Sequence, residues 1–332
     1  MNQINRKIVL AARPSGWVRP EDFRLVEEAV PDLEPGQVRV RNRFLSLDPY
    51  QRGRMNAARS YAKPLEIGEV IIAATVGEVL SSASPLFDAG DWVLGFLGWQ
   101  EHAVAPAGAL QKLDVSVAPP SAWLGALGLP GVTAWMGMTL IGQPRAGDTV
   151  VVSAAAGAVG STAGQLAKAA GANVVGIAGG PEKCRFVREE LRFDAAIDYH
   201  AQDFAALLAT HTPTGVDVYF ENVGGLVSKE VFARLNDFAR VPLCGLIAEY
   251  NGDETSSVSL ADLLSRRIKV EGFICSDRMD RWAEAVGSLV RLYRQGGLVW
   301  RETIATGLEA AVPAFISMLR GGNIGKQVVE IE

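Results

Sequence analysis

Apolar and polar positions alternate early in the chain. Val38 and Val40 are interleaved with Gln37, Arg39 and Arg41, the period-two pattern of a half-buried strand. A second apolar run at 70–80 predicts another strand. Gly77 interrupts it, where a bulge or a close backbone approach is expected. Val93 and Leu94 begin a third. The turns Pro35-Gly36-Gln37, Ala89-Gly90-Asp91 and Ala146-Gly147-Asp148 each precede an extended run, and glycine supplies the positive φ they need. The chain up to residue 122 therefore reads as β-rich.

From Ser121 the period changes. Ser121 reads as the cap of a helix start, and Pro130 opens a second helix. Strands are predicted at 149–152, 173–178, 195–199, 216–221 and 239–247, with helices between them. Pro181 opens one of these helices at its first position. This alternation implies an open parallel sheet with helices on both faces, and such a sheet binds ligands at the carboxyl ends of its strands. Helices follow at 282–293 and 313–319. Gly321 and Gly322 stop the last one before a closing strand at 327–331.

Residues 149–168 carry the clearest chemistry. Val150, Val151 and Val152 suit a strand buried on both faces, and a small-residue turn follows. Ala163, Leu166, Ala167 and Ala170 then recur at helical spacing. Strand, turn and helix N-terminus make a pyrophosphate site, because unpaired N–H groups and the positive dipole end face the ligand. The fingerprint G-x-G-x-x-G is matched by Ala155, Gly157 and Gly160, so the first glycine is missing and the flanking strand and helix carry the reading. Ala155, Gly157, Ala158, Val159 and Gly160 are the expected contacts. The dinucleotide is selected at the end of the second strand, where an NAD site places an acid. Here stand Gly179 and Gly180, followed by Lys183 and Arg185. The glycines leave room for a 2′-phosphate and a cation neutralises it, so NADP(H) is expected, with Gly179 and Lys183 as contacts.

Composition narrows the classes. A chain of 332 residues suggests two domains, and 48% hydrophobic with 21% charged residues is ordinary for a globular protein. A net charge of −5, with no basic run carrying interleaved aromatics, argues against nucleic acid. No uninterrupted apolar stretch reaches membrane-spanning length, and the N-terminal apolar run is too short for a secretory signal, so a cytoplasmic location is expected. Cys184, Cys244 and Cys275 fit no zinc-ribbon or redox spacing. His102, His200 and His211 form no metal pattern and read as surface or hydrogen-bonded histidines, so no metal site is expected.

Five stretches together resemble the zinc-free branch of the medium-chain dehydrogenase/reductases that contains leukotriene B4 dehydrogenase/prostaglandin reductases, plant double-bond reductases and bacterial curcumin reductases. They are LSLDPYQRGRM at 45–55, AAAGAVG at 154–160, ENVGG at 221–225, GLIAEYN at 245–251 and NIGKQ at 323–327. The resemblance implies an α/β fold in which a doubly wound Rossmann domain (123–299) is inserted in a GroES-like β-rich catalytic domain (1–122 with 300–332). It also implies a homodimer and NADPH-dependent reduction of the C=C bond of small-molecule enones and enals. Where the zinc-dependent branch carries Gly-His-Glu, this chain reads Gly68-Glu69-Val70, so the enolate oxygen needs hydrogen-bond donors in place of a metal. Tyr50, in the Asp48-Pro49-Tyr50 turn, and Tyr250 are the catalytic candidates. A further family tyrosine is replaced here by Ile274-Cys275-Ser276, which leaves α-carbon protonation to another tyrosine or to water. Tyr199, Asn222 and Asn323 match cofactor contacts of the family. Beside these readings stand an Asx turn at Asn222, a left-handed turn residue at Asn323 and a strand-end aromatic at Tyr199. Two rival functions remain: a quinone oxidoreductase of the same superfamily, and a cofactor-binding protein without turnover. Loops at 56–63 and 249–257 are expected to shape the substrate pocket.

Overall fold

The computed structural model describes residues 4–58, 60–252 and 255–331; Arg59, Asp253 and Glu254, in the two expected substrate loops, lie outside the described residues. The strands in chain order are β1 (Ile4–Leu10), β2 (Phe23–Ala29), β3 (Gln37–Ser46), β4 (Thr75–Ser82), β5 (Trp92–Gly95), β6 (His102–Pro106), β7 (Gln111–Lys112), β8 (Thr149–Val152), β9 (Asn173–Ala178), β10 (Ala195–Asp198), β11 (Val216–Phe220), β12 (Leu235–Leu243), β13 (Lys269–Gly272), β14 (Glu302–Thr306) and β15 (Lys326–Glu330). The helices are α1 (Tyr50–Arg54), α2 (Leu129–Met136), α3 (Ala158–Ala169), α4 (Pro181–Arg185), α5 (Phe204–His211), α6 (Gly225–Phe232), α7 (Leu260–Arg266), α8 (Trp282–Arg294) and α9 (Ala311–Leu319). The chain divides into two compact units, Met1–Gly125 with Glu302–Glu332, and Ala126–Arg301.

The first unit is built on β3. Its neighbours run β14-β15-β3-β4-β5-β7, with β6 also paired to β3 and a separate β1-β2 hairpin. Val38 and Val40 are fully buried, as their alternation requires. A Cβ on Gly77 would lie 2.3 Å from the Arg41 carbonyl oxygen, and the β3–β4 register shifts between Asn42 and Phe44. This is the close approach expected of a strand glycine. The strand expected from residue 70 begins only at Thr75. Before it, Ile71 donates its N–H to Ile8 and accepts from Trp99, which holds 70–73 outside the β3 ladder. The core gathers on Trp99, stacked on Phe23 at 5.6 Å and met edge-on by Phe315 of α9 at 5.5 Å. Ser121 caps nothing. Pro119 and Pro120 preset the backbone, a 3-10 turn starts at Pro120, and Ser121 falls inside it.

The second unit holds a six-stranded parallel sheet in the order β10-β9-β8-β11-β12-β13. This is the doubly wound order, with its reversal between β8 and β11. Val150, Val151 and Val152 are completely buried. On α3 Gly160, Ser161, Thr162, Ala163, Gly164, Gln165 and Ala167 are buried, while Leu166 is half-buried and Ala170 is exposed. Phe193 packs closely on this helix: a Cβ on Gly164 would stand 1.8 Å from its ring Cζ. β12 runs earlier than its hydrophobic pattern predicts. After Leu243 the N–H groups of Cys244 and Gly245 both turn to the Glu221 carbonyl, and the chain leaves the ladder.

Candidate active site

The reversal point between β8 and β11 is where a doubly wound sheet opens a crevice for its ligand. At the end of β8 the chain turns through Ala154, whose φ is +47°, and enters α3 at Gly157 with no side chain capping the helix. The first-turn N–H groups of Ala158, Val159 and Gly160 therefore lack intrahelical acceptors and are free to meet an anion. Gly160 is required for packing: its Cβ would lie 2.4 Å from the Ala154 carbonyl oxygen. Ala155 is fully buried under the turn and shapes it from below.

A buried carboxylate ties this turn to β11. Glu221 Oε1 accepts from Ser153 Oγ at 2.9 Å, from the Val223 N–H at 2.7 Å and from the Gly224 N–H at 3.2 Å. Ser153 Oγ in turn accepts the Asn222 N–H at 2.8 Å, and Asn222 Nδ2 donates to the Ser153 carbonyl at 2.8 Å. So Glu221, and not Asn222, is the acceptor that closes this turn, and the Asn222 carboxamide is held with Nδ2 toward the protein. Tyr219, two residues earlier on the same face of β11, is buried; burial first and then Glu221 push its pKa up, which keeps the phenol neutral.

The far side of the crevice is made by the ends of β9 and β10. Gly180 has φ +87° and open space where a Cβ would stand. Gly179 is less open than the sequence implies. A Cβ there would be 3.0 Å from ring carbons of both Tyr199 and His200. Lys183 is half-buried, and burial lowers its pKa against a smaller opposing pull from Glu182. Asp198 Oδ1 accepts from the Gly180 N–H at 2.9 Å and the His200 N–H at 3.0 Å, and lies 3.3 Å from His200 Nδ1. Burial raises the Asp198 pKa, but these donors outweigh it and hold the group below its usual value.

Tyr250, in the second unit, follows β12; its hydroxyl accepts from the Leu246 N–H at 3.4 Å and would stand 3.1 Å from a Cβ on Gly245. Tyr50 and Asn323 belong to the first unit. The Tyr50 hydroxyl is buried without a hydrogen-bond partner, and burial followed by the Asp48 charge raises its pKa far above the ordinary value. Its turn is anchored by Lys326, whose Nζ lies 2.9 Å from Asp48 Oδ1 and donates to the Leu47 carbonyl; Ser46 Oγ donates to the other Asp48 oxygen, and the Asp48 N–H goes to Gln51. Asn323 lacks the expected left-handed φ; Gly321 and Gly325 take that role, and Asn323 Nδ2 donates to the Gly325 carbonyl at 2.8 Å. Among the described residues no three His, Cys, Asp or Glu side chains group to hold a metal ion.

The sequence reading missed Ser153, Glu221, Asp48 and Lys326 as organisers of the site. For Ser153 and Glu221 the available signal was a polar residue directly after a buried apolar strand, at the carboxyl ends of β8 and β11; Asp48 and Lys326, 278 residues apart, carried none. The second unit fits a dinucleotide: an uncapped helix start over small residues, a glycine pair at the end of the second strand and a half-buried lysine beyond it.

That fold and site define the class of dinucleotide-binding oxidoreductases. The chain matches the family models for an N-terminal domain of oxidoreductase over 6–113 and for a zinc-binding dehydrogenase over 158–291. It is 45% identical to the NADPH-dependent curcumin reductase of Escherichia coli, over 99% of this chain and 97% of that protein. It is 36% identical to the NADP(+)-dependent 2-alkenal reductase of Nicotiana tabacum, over 98% and 97%. The crystal structure of CurA in complex with NADPH from Vibrio vulnificus superposes with a TM-score of 0.94 at 45% identity, covering 98% of this chain and 99% of that one. The chain belongs to the zinc-free family of medium-chain dehydrogenase/reductases.

Proposed function

We propose that this protein reduces the C=C bond of α,β-unsaturated ketones and aldehydes with NADPH. The observation that carries this reading is near-full-length similarity, at 45% identity, to an NADPH-dependent curcumin reductase. The half-buried Lys183 beyond Gly179 and Gly180 supports the choice of NADP(H) over NAD(H).

NADPH, when bound, would supply a hydride for the β-carbon of the substrate; the C=C pair would shift to the bond between the α-carbon and the carbonyl carbon, and the carbonyl π pair onto oxygen as an enolate. That oxygen needs donors, and Tyr50 offers a neutral phenol with no competing partner. Its raised pKa suits a hydrogen-bond donor that keeps its proton. Tyr250 is the second proposed substrate-side hydroxyl. The α-carbon then takes its proton from water, which balances the reaction: the alkene is reduced and the dinucleotide oxidised. On the cofactor, Gly157, Ala158, Val159 and Gly160 line the pyrophosphate over the buried Ala155, and Gly179, Lys183 and Tyr199 the adenosine end. Asn222 and Asn323 approach the nicotinamide half. The unit Met1–Gly125 with Glu302–Glu332 is the proposed catalytic domain, and Ala126–Arg301 the NADP-binding one.

The chain is proposed to work as a homodimer. Among the described residues β13 is an edge strand paired to β12 only, and Leu260 and Leu264 of α7, which packs against β12, are 78% and 79% exposed. Its three free cysteines support a reducing, cytoplasmic setting. The test is an assay of enones, enals and quinones with NADPH and NADH, followed by product identification. Saturated ketones are expected, and hydroquinones alone would favour the quinone oxidoreductase reading. Lys183→Ala should raise the NADPH KM roughly tenfold and leave that of NADH almost unchanged. Equal effects would contradict the 2′-phosphate contact.

A further inference from the structure

His200 stands at the end of β10, beside the glycine pair that ends β9. A Cβ on Gly179 would sit 3.0 Å from His200 Cε1, 3.0 Å from Tyr199 Cε1 and 3.2 Å from the Tyr199 hydroxyl. The two rings pack against each other with centroids 4.1 Å apart. Together they wall the place where the second strand of a doubly wound sheet delivers the adenosine ribose. The His200 side chain is 62% exposed, and its Nδ1 lies 3.3 Å from Asp198 Oδ1. That contact directs Nδ1 to the protein and leaves Nε2 as the atom facing solvent.

Asp198 itself poses a problem for a dianion. An acid at a strand end suits a ribose hydroxyl and repels a 2′-phosphate. Here its Oδ1 is taken up by the Gly180 and His200 N–H groups and the imidazole. The cations and acids around this point are Lys183, Arg185 and Glu182 on α4, and Asp198 on β10. Lys183 is half-buried on the Gly180 side, whereas Arg185 and Glu182 are exposed.

We propose that His200 is a specificity-determining residue of the cofactor site: as an imidazolium with Nδ1–H toward Asp198, it donates from Nε2–H to the 2′-phosphate and screens Asp198 from it. Lys183 and His200 then approach the phosphate from α4 and from β10. The proposal rests on the NADP(H) reading above and adds a residue to it.

The test is binding, measured by calorimetry with 2′,5′-ADP against 5′-AMP and by fluorescence titration with NADPH against NADH. It uses the full chain, His200→Asn and His200→Lys. His200→Asn keeps the backbone N–H to Asp198 and removes the ring. It should weaken 2′,5′-ADP and NADPH roughly tenfold while leaving 5′-AMP and NADH within about twofold. His200→Lys should keep the preference for the 2′-phosphate. Equal weakening of both members of each pair, or no weakening at all, overturns the proposal. A wild-type protein with no preference for 2′,5′-ADP over 5′-AMP overturns the NADP(H) reading and this role with it.

Discussion

Glu221 is 1% exposed, yet its Oε1 takes hydrogen bonds from the Ser153 hydroxyl and from two backbone N–H groups. Truncating it leaves the Val223 and Gly224 N–H groups without this acceptor, while Ser153 Oγ keeps only its 3.2 Å bond to the Phe220 carbonyl, and an unpaired buried donor costs more than the bond itself contributes. Glu221→Ala should therefore lower stability by about 2–4 kcal/mol in denaturant unfolding. A loss below about 0.5 kcal/mol would show that the carboxylate does not hold the two strand ends together. The candidate contacts on the glycine turn were readable as residues, because small side chains at fixed spacing between a strand and a helix mark a tight turn. The Ser153–Glu221 pair was not. It joins positions 68 residues apart, and only the register of β8 against β11 brings them together. His200 was hidden for the same reason, since the ends of β9 and β10 meet only once the sheet forms.

The turn from β8 into α3 is the element proposed to hold the pyrophosphate. Its tightness depends on Gly160, which packs against the Ala154 carbonyl with no room for a Cβ. Gly160→Ala must displace backbone, so it should cost roughly 1–3 kcal/mol of stability and weaken NADPH at least tenfold. Titration with unchanged affinity would mean that the turn does not contact the cofactor. Most element positions follow from local pattern: β9 and α8 obey simple periodicity and clear stops. The exceptions have tertiary causes. β12 ends early because Glu221 captures the next N–H groups, and residues 70–73 stay out of the β3 ladder because Ile8 and Trp99 bind them. Ser121 misled because two prolines before it had already set the turn.

For the whole molecule, fold class and family were the most legible features. Alternating strands and helices allow few topologies, and five motifs in one order point to one family. Quaternary structure has no such pattern in the sequence. It is argued instead from the open edge of β13 and the exposed leucines of α7. Leu264→Glu should convert a two-chain mass to a one-chain mass in light scattering. An unchanged mass would remove α7 from the interface.

The central claim is hydride transfer from NADPH to the β-carbon of an enone. The direct measurement is turnover of an enone with NADPH deuterated at the transferable nicotinamide position, followed by NMR of the product. The account predicts a saturated ketone carrying the deuterium at its β-carbon. Deuterium at the carbonyl carbon of an allylic alcohol, or a product free of deuterium, would contradict it.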